Sequence, residues 1–557
     1  MKKIFSKTIT ALLIFSMLFM LPACGPTPEP SNGIKTSDLN KYTIVYPASY
    51  EDWQMEEVTL LQKVIKHITG SDIAAVPDTD AEKDNEIIFA SSSRQTKLKE
   101  QTQSLASEMD YIIAVSDGDI ILGGRGYYGD MKAAYDFINN YLGYNDLDDI
   151  YGEAKAEISG TETKTYTEPA FTIMVANPGK YPFSCAKDVK VMADAGFNMT
   201  KLDVINFSPE SFRTYAKWCA RFNVRIIQKS VYNVKAKSFI INEQDFAVNN
   251  PIIYGHYARY ETGSEALDMY SEMCDIYKKN YSKYGWKLVM NLSTDGEVIS
   301  KGIYDEAFSN KDLFKNADVI SAKASFGVGR GTYTRQYPWF ENIRQFKNIA
   351  QRNGNDMWMT VATNDGQMGG ELQKIQNVFR WNAYIALCFG VNGVEYSLYK
   401  RGNVINDDYS KGPRYNDIKE INEELLKMSE AYLQYENLGV YTTDPTEENE
   451  EFIQIQNPYT DFDNVITEFI PAPGFESPIL FGCFKSKDSD NKYAFVAVNL
   501  AALTDIKTIA PPSSFALNAK NVTIYTNGAP TELSLAKTGY YPAAIANGSG
   551  IFITVEQ

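Results

Sequence analysis

Three kinds of hydrophobic pattern follow one another along the chain. Between residues 42 and 145, short apolar strands mix with helical periods. TIVYP and EIIFAS read as strands, and the segment from Trp53 to Thr69 repeats its apolar positions at helical spacing. DYIIAVSDGDIILGG predicts two strands joined across Asp117-Gly118, because that pair tolerates the positive φ of a two-residue hairpin turn. A helix is predicted over YYGDMKAAYDFINNYLG, stopped by Gly143. Residues 146–168 are acidic, rich in Gly and Thr and without apolar period, and read as a linker.

From residue 169 to 438, apolar runs alternate with helical segments. The runs are FTIMVA (171–176), MTKLDV (199–204), RIIQKS (225–230), PIIYGHYARY (251–260), KLVMNLS (287–293), DVISAKASF (318–326), MWMTVATN (357–364) and GVEYSLYK (393–400). Eight strand–helix units predict an α/β chain built on a (β/α)8 TIM barrel, with an open doubly wound sheet as the alternative. A last helix from Tyr415 to Tyr435 ends that region. Residues 439–557 then show short alternating strands, among them FIQIQN, ILFGCFKS, YAFVAVNLA, NVTIYTN and GIFITVEQ, which predict a β-sandwich.

The first residues change the picture of where the chain works. Lys2, Lys3 and Lys7 precede an apolar run from Ile9 to Leu21 that is too short for a comfortable membrane span. Its end, Leu21-Pro22-Ala23-Cys24, resembles the lipobox of bacterial lipoproteins, which implies a signal peptide over 1–24 and lipid on Cys24. Residues 25–41 then read as a tether. The expected product is exported and membrane-anchored at the bacterial cell surface. A formal net charge of −16 and a pI near 4.9 leave no basic footprint for nucleic acid. Nothing in the pattern specifies an oligomeric state.

Candidate chemistry narrows quickly. The six cysteines are scattered and lack any C-x-x-C spacing, and His67 and His256 are the only histidines. Metal centres and Ser-His-Asp triads therefore have little to draw on, and chemistry falls to carboxylates. No cofactor is expected. Gly124-Arg-Gly126-Tyr-Tyr-Gly129 spells a dinucleotide-binding motif, but its strand belongs to a hairpin and its helix runs into a polar segment. A parallel returning strand is required, so a tight turn is the better reading. In a barrel, active sites form at the C-terminal ends of the strands. Those ends carry Asn177, Asp203, Asn206, Lys229, Arg259, Glu261, Asn291, Asp295, Ser325, Asn364, Asp365 and Tyr399, a set suited to a polyhydroxylated ligand.

Two resemblances sharpen this. EIIFAS, DGDIILGG and the GRGYYGDMKAAYDFINNYLG helix resemble the N-terminal α/β domain of β-hexosaminidases and α-glucuronidases, which precedes a glycosidase barrel. NNPIIYGHYARYETGSEALDMY, KLVMNLS and RWNAYIALCFGVNGVEYSLYKRG resemble exported glycosidase-like barrels distantly similar to the β-galactosidases of glycoside hydrolase family 42. Where that family ends its fourth strand with Asp-Glu-Pro, this chain has Tyr260-Glu261-Thr262. The resemblance implies Glu261 as general acid of glycoside hydrolysis. The family's second Glu, on strand seven, is missing; Asp365 is the nearest carboxylate there. Glu395 on strand eight faces inward by alternation, either as a nucleophile or as a buried structural pair with Lys323. Tyr257, Arg259, Asn291, Asn364, Glu395 and Tyr399 are the expected sugar contacts, with Tyr257 and Tyr399 as stacking walls. Arg259 either holds Glu261 ionised or binds a carboxylated sugar. The loss of the family's carboxylates leaves a second expectation, a catalytically inactive glycan-binding barrel.

Overall fold

The structure, a computed structural model, describes residues 33–175, 186–203, 208–229, 231–233, 235–240, 247, 250–260, 267–293, 314–323, 337–361, 378–396, 404–406, 410–443, 465–474, 477–500, 511–546 and 548–557. The chain divides after Tyr166 into two compact units.

In the first unit the predicted strands Thr43–Tyr46, Glu86–Phe89, Tyr111–Ser116 and Asp119–Gly123 join one six-stranded sheet. The hairpin turns at Asp117 and Gly118, both at positive φ. The two stretches read as tether and linker contain paired strands. Thr161–Lys164 pairs antiparallel with Tyr111–Ser116 as an edge strand, and Glu157–Ile158 pairs with Ile34–Lys35. Backbone hydrogen bonds hold TETK in place with its side chains largely in solvent, so it shows no apolar alternation. Leu39, inside the expected tether, is fully buried.

The glycine motif serves packing. A Cβ on Gly124 would lie 2.2 Å from the Asp110 carbonyl oxygen. The place a phosphate would take belongs to Asp130, which accepts from Gly124 N–H at 3.1 Å, from Tyr50 OH at 2.8 Å and from Ser91 Oγ. Helix Tyr127–Asn140 leads into a short antiparallel hairpin, Tyr144–Asn145 with Ile150–Tyr151.

The second unit is built on a closed parallel barrel of eight strands: β1 (Thr172–Val175), β2 (Met199–Leu202), β3 (Arg225–Lys229), β4 (Ile253–Tyr260), β5 (Lys287–Ser293), β6 (Val319–Lys323), β7 (Asp356–Val361) and β8 (Gly393–Tyr396). The open-sheet alternative is excluded because β1 pairs with both β2 and β8. These strands read as apolar runs because a barrel wall is covered on both faces. Around them lie α1 (Ala186–Asp194), α2 (Pro209–Arg221), α3 (Leu267–Tyr281), α4 (Tyr337–Asn353), α5 (Val378–Cys388) and α6 (Tyr415–Tyr432). Ser208 caps α2, its Oγ accepting from Ser211 N–H, with Pro209 in the first turn. An unforeseen hairpin, Val231–Asn233 with Ser238–Ile240, follows β3.

The fourth strand carries the feature that shapes the interior. Its pairing with β3 slips between Ile226 and Ile227, which face Ile253 and Gly255. This bulge absorbs one residue, with Gly255 at φ +152° and no room for a side chain: a Cβ would lie 2.0 Å from the Lys287 carbonyl oxygen. Strict alternation puts residues 254 and 257 on opposite faces. With the bulge, Tyr254 and Tyr257 both enter the apolar cluster of Met174, Met199, Ile227, Val289, Val319 and Trp358.

Helix α6 stops at Tyr432, and Tyr435–Thr442 already forms the first strand of a six-stranded antiparallel sheet. Ile466–Ile470, Pro512–Leu517 and Tyr541–Ala544 make a second sheet, and the aromatic core of Phe481, Phe495 and Phe515 includes side chains from both. The expected strand FIQIQN lies outside the described residues. Helix α5 is apolar nearly all round because it packs against the barrel on one side and this sandwich on the other. Its Trp381 Nε1 donates to the Asn499 carbonyl at 3.1 Å, and its Arg380 donates to Glu424 of α6 at 2.6 Å.

Candidate functional site

Above the apolar cluster, the even-numbered strands build one polar layer: Lys201 from β2, Tyr257 from β4, Ser321 from β6 and Glu395 from β8. Alternate strands supplying one layer is the packing rule of this barrel type. Glu395 is 2 % exposed. Burying a carboxylate costs several kcal/mol unless partners replace its water, roughly what this layer provides. Lys201 Nζ donates to Oε1 at 2.9 Å, Tyr257 OH to Oε2 at 2.8 Å, and Ser321 Oγ to Oε2 at 3.3 Å. Asn291 of β5 extends the chain, its Nδ2 donating to Ser321 Oγ at 3.0 Å. Lys201 Nζ also lies 4.0 Å from the Tyr257 ring centroid. Removing Lys201 alone would leave Glu395 as an uncompensated buried charge, a loss of roughly 3–5 kcal/mol.

Two residues beyond Lys201, Asp203 Oδ2 accepts from Lys229 Nζ, at the end of β3, at 2.9 Å, and both side chains are partly exposed.

The expected residues separate into three groups. Glu395, Tyr257 and Asn291 come together. Tyr257 is not an open stacking wall, however: it is 1 % exposed, turned into the core by the bulge, and meets Glu395 through its hydroxyl. Arg259 is placed by its backbone, in register with Asn291. Glu261, Asn364, Asp365 and Tyr399 lie outside the described residues, as does Cys24.

Lys201 is a counter-ion of Glu395. The side chain of Lys323, the one expected, lies outside the described residues. Lys201 and Ser321 join the layer in addition to the expected residues. Their available signal was a polar residue two positions from another inward residue within an apolar strand.

His256 takes no part. It faces outward beneath α3, where Nδ1 lies 2.8 Å from Tyr277 OH and the ring sits among Tyr277, Tyr281 and Trp286. Burial pushes its pKa down to about 3, so it stays neutral. At the opposite, N-terminal end of the barrel, a cavity of about 250 Å³ is lined by Arg225, Tyr254, Lys287, Asp356 and Trp358. Arg225 stacks on Tyr254 at 4.5 Å and pairs with Glu168. That end of the fold ordinarily serves stability. Among the described residues no three His, Cys, Asp or Glu side chains are grouped to hold a metal ion, and no helix is long and apolar enough to cross a membrane.

No protein-family model matches the chain, and no curated protein sequence matches it. Solved structures do resemble it at a distance, several of them glycoside hydrolases. A GH30 endoxylanase from Clostridium papyrosolvens C71 matches at 13 % identity and TM-score 0.36, over 70 % of this chain and 96 % of that one. A GH20 β-N-acetylhexosaminidase from Streptomyces coelicolor A3(2) matches at 12 % identity and TM-score 0.31, over 66 % and 84 %. An orotidine 5′-monophosphate decarboxylase from Methanocaldococcus jannaschii matches at 12 % identity and TM-score 0.28, over 46 % and 98 %. At such distances the chemistry rests on this chain's own residues.

Proposed function

We propose that this chain is an exported, lipid-anchored glycoside hydrolase acting on extracellular oligo- or polysaccharide, with Glu261 as general acid and Asp365 as its partner carboxylate. The observation that carries the carbohydrate reading is the polar layer of Lys201, Tyr257, Asn291, Ser321 and Glu395. Ammonium, phenol, amide, hydroxyl and carboxylate groups converge below the strand ends as a buried, internally hydrogen-bonded support, the kind of shell that would hold sugar-binding side chains in place above it. Glu261 follows the last residue of β4 directly. A glutamate held partly desolvated at a strand end has its pKa raised enough to protonate a leaving oxygen. The β-sandwich and the front α/β unit then act as accessory domains.

A second reading is a catalytically inactive barrel that binds glycan. One observation favours it: Glu395 is already engaged by Lys201, Tyr257 and Ser321, as a structural carboxylate would be.

Kinetics of Glu261→Gln separate the two. The substitution keeps shape and removes the transferable proton. On glycosides with poor leaving groups, turnover should fall about 10²–10⁴-fold, while activated aryl glycosides should suffer less. Wild-type turnover that survives the change intact would remove Glu261 as the acid. A wild type that binds glycan but never cleaves it would establish the second reading.

A further inference from the structure

The N-terminal end of the barrel carries a layer of its own. Thr172, Arg225, Lys287 and Asp356 are the first residues of β1, β3, β5 and β7. Two positions on, the same strands give Met174, Ile227, Val289 and Trp358 to the inner apolar cluster, so alternation turns all four first residues into the barrel. Alternate strands again supply one layer. The bulge at Gly255 adds Tyr254 from β4, which strict alternation would have turned outward. These five side chains and Trp358 line the cavity of about 250 Å³. The residue directly preceding each of the eight barrel strands is among the described residues.

The cations of this layer are braced at the rim. Arg225 pairs with Glu168 and lies over the Tyr254 ring, and Lys287 Nζ stands 3.5 Å from Asp318 Oδ1. The Asp356 carboxylate has no ion pair or side-chain hydrogen bond among the described residues. Two hydroxyls share that condition. Tyr254 and Thr172 are each only 9 % exposed, both line the cavity, and neither hydroxyl is hydrogen-bonded among the described residues. A buried hydroxyl left unpaired is costly, so an occupant that completes it is stabilised.

Charge and size narrow the occupant. On the lining, Arg225 and Lys287 are balanced by Glu168 and Asp356, so an ion gains no net attraction. A polyhydroxylated ring offers donors and acceptors together, which suits an acceptor, an ammonium and two hydroxyls facing one space. Drug-sized ligands occupy roughly 300–1,000 Å³, and this smaller cavity suits a single small unit.

Resting on the carbohydrate reading above for its ligand class, we propose that the N-terminal end of the barrel is a second glycan site that takes one uncharged sugar unit. Sugar hydroxyls donate to Asp356 and bond to the Tyr254 and Thr172 hydroxyls, with Lys287 donating at the rim. The site stands at the opposite end of the barrel from the strand ends, so it tethers glycan and does not cleave it.

Ligand-observed saturation-transfer NMR titrations of the full chain test this. The probes are the methyl glycosides of glucose, galactose, xylose and N-acetylglucosamine, with alanine and ethylammonium as charged controls. At least one glycoside should bind saturably. Tyr254→Phe keeps the ring and removes one hydroxyl, and should raise that Kd about three- to tenfold. Asp356→Asn removes a charged acceptor and should raise it about tenfold or more. Should Tyr254→Phe unfold by circular dichroism, Asp356→Asn, on the exposed rim, carries the test. Glycoside binding that survives both variants overturns the second site; if it falls in Glu261→Gln, the sugar is held at the other end and the carbohydrate reading stands. Binding of alanine or ethylammonium in place of every glycoside overturns the ligand class. Failure of every glycoside to bind overturns the inference, and hydrolysis of aryl glycosides assayed in parallel then decides separately whether the carbohydrate reading survives.

Discussion

The residues that follow the β4 bulge have opposite fates: Tyr257 turns inward to Glu395, and His256 turns outward beneath α3. Burial of His256 has a thermodynamic signature. Its pKa is about 3 in the folded chain and about 6.5 when unfolded. Below pH 6.5 the unfolded state therefore takes up a proton that the native state refuses. The stability from neutral His256 is fully present above pH 6.5 and drains as pH falls toward about 3, by up to about 1.4 kcal/mol per pH unit. His256→Phe keeps the ring among Tyr277, Tyr281 and Trp286, and Tyr277 OH retains the Lys287 carbonyl at 3.2 Å. Denaturation midpoints compared between pH 7 and 4.5 should fall less steeply in the variant; parallel curves would contradict this account. At the same scale, the site was half legible. Glu395 was visible as a carboxylate inside an apolar strand. Its counter-ion was not, because alternation gives the face of a side chain and says nothing about which strand lies across the interior.

Gly255 shows what one residue does to an element. Its backbone conformation and the carbonyl 2.0 Å from any Cβ make substitution costly twice over. Gly255→Ala should lose roughly 3–5 kcal/mol, read as a lower denaturant midpoint by tryptophan fluorescence, and should loosen the contact between Tyr257 and Glu395. An unchanged midpoint would mean that the bulge relaxes freely. Elements with strong burial were legible: all eight barrel strands could be read because both faces of a parallel wall exclude water. The short strands Thr161–Lys164 and Ala75–Pro77 were not, since backbone pairing at a sheet edge holds them without an apolar stripe. The bulge itself was hidden because a slip of register leaves only a glycine as its trace.

If Cys24 carries lipid, Cys24→Ala should move the protein from the membrane fraction to the soluble fraction, and identical partitioning of the two proteins would refute the anchor. Helix α5 has a different reach. Phe379, Trp381, Tyr384, Ile385, Leu387 and Cys388 leave almost none of its surface to water, and the helix runs directly into the strand that bears Glu395. Barrel and sandwich are consequently one heritable piece. Recombination that traded the sandwich for another module would bare the rear of α5, and no lineage could shed the sandwich without first rewriting that helix in polar letters. The sandwich is in this sense a dependent of the strand that bears Glu395, and the two can be expected to travel through evolution together.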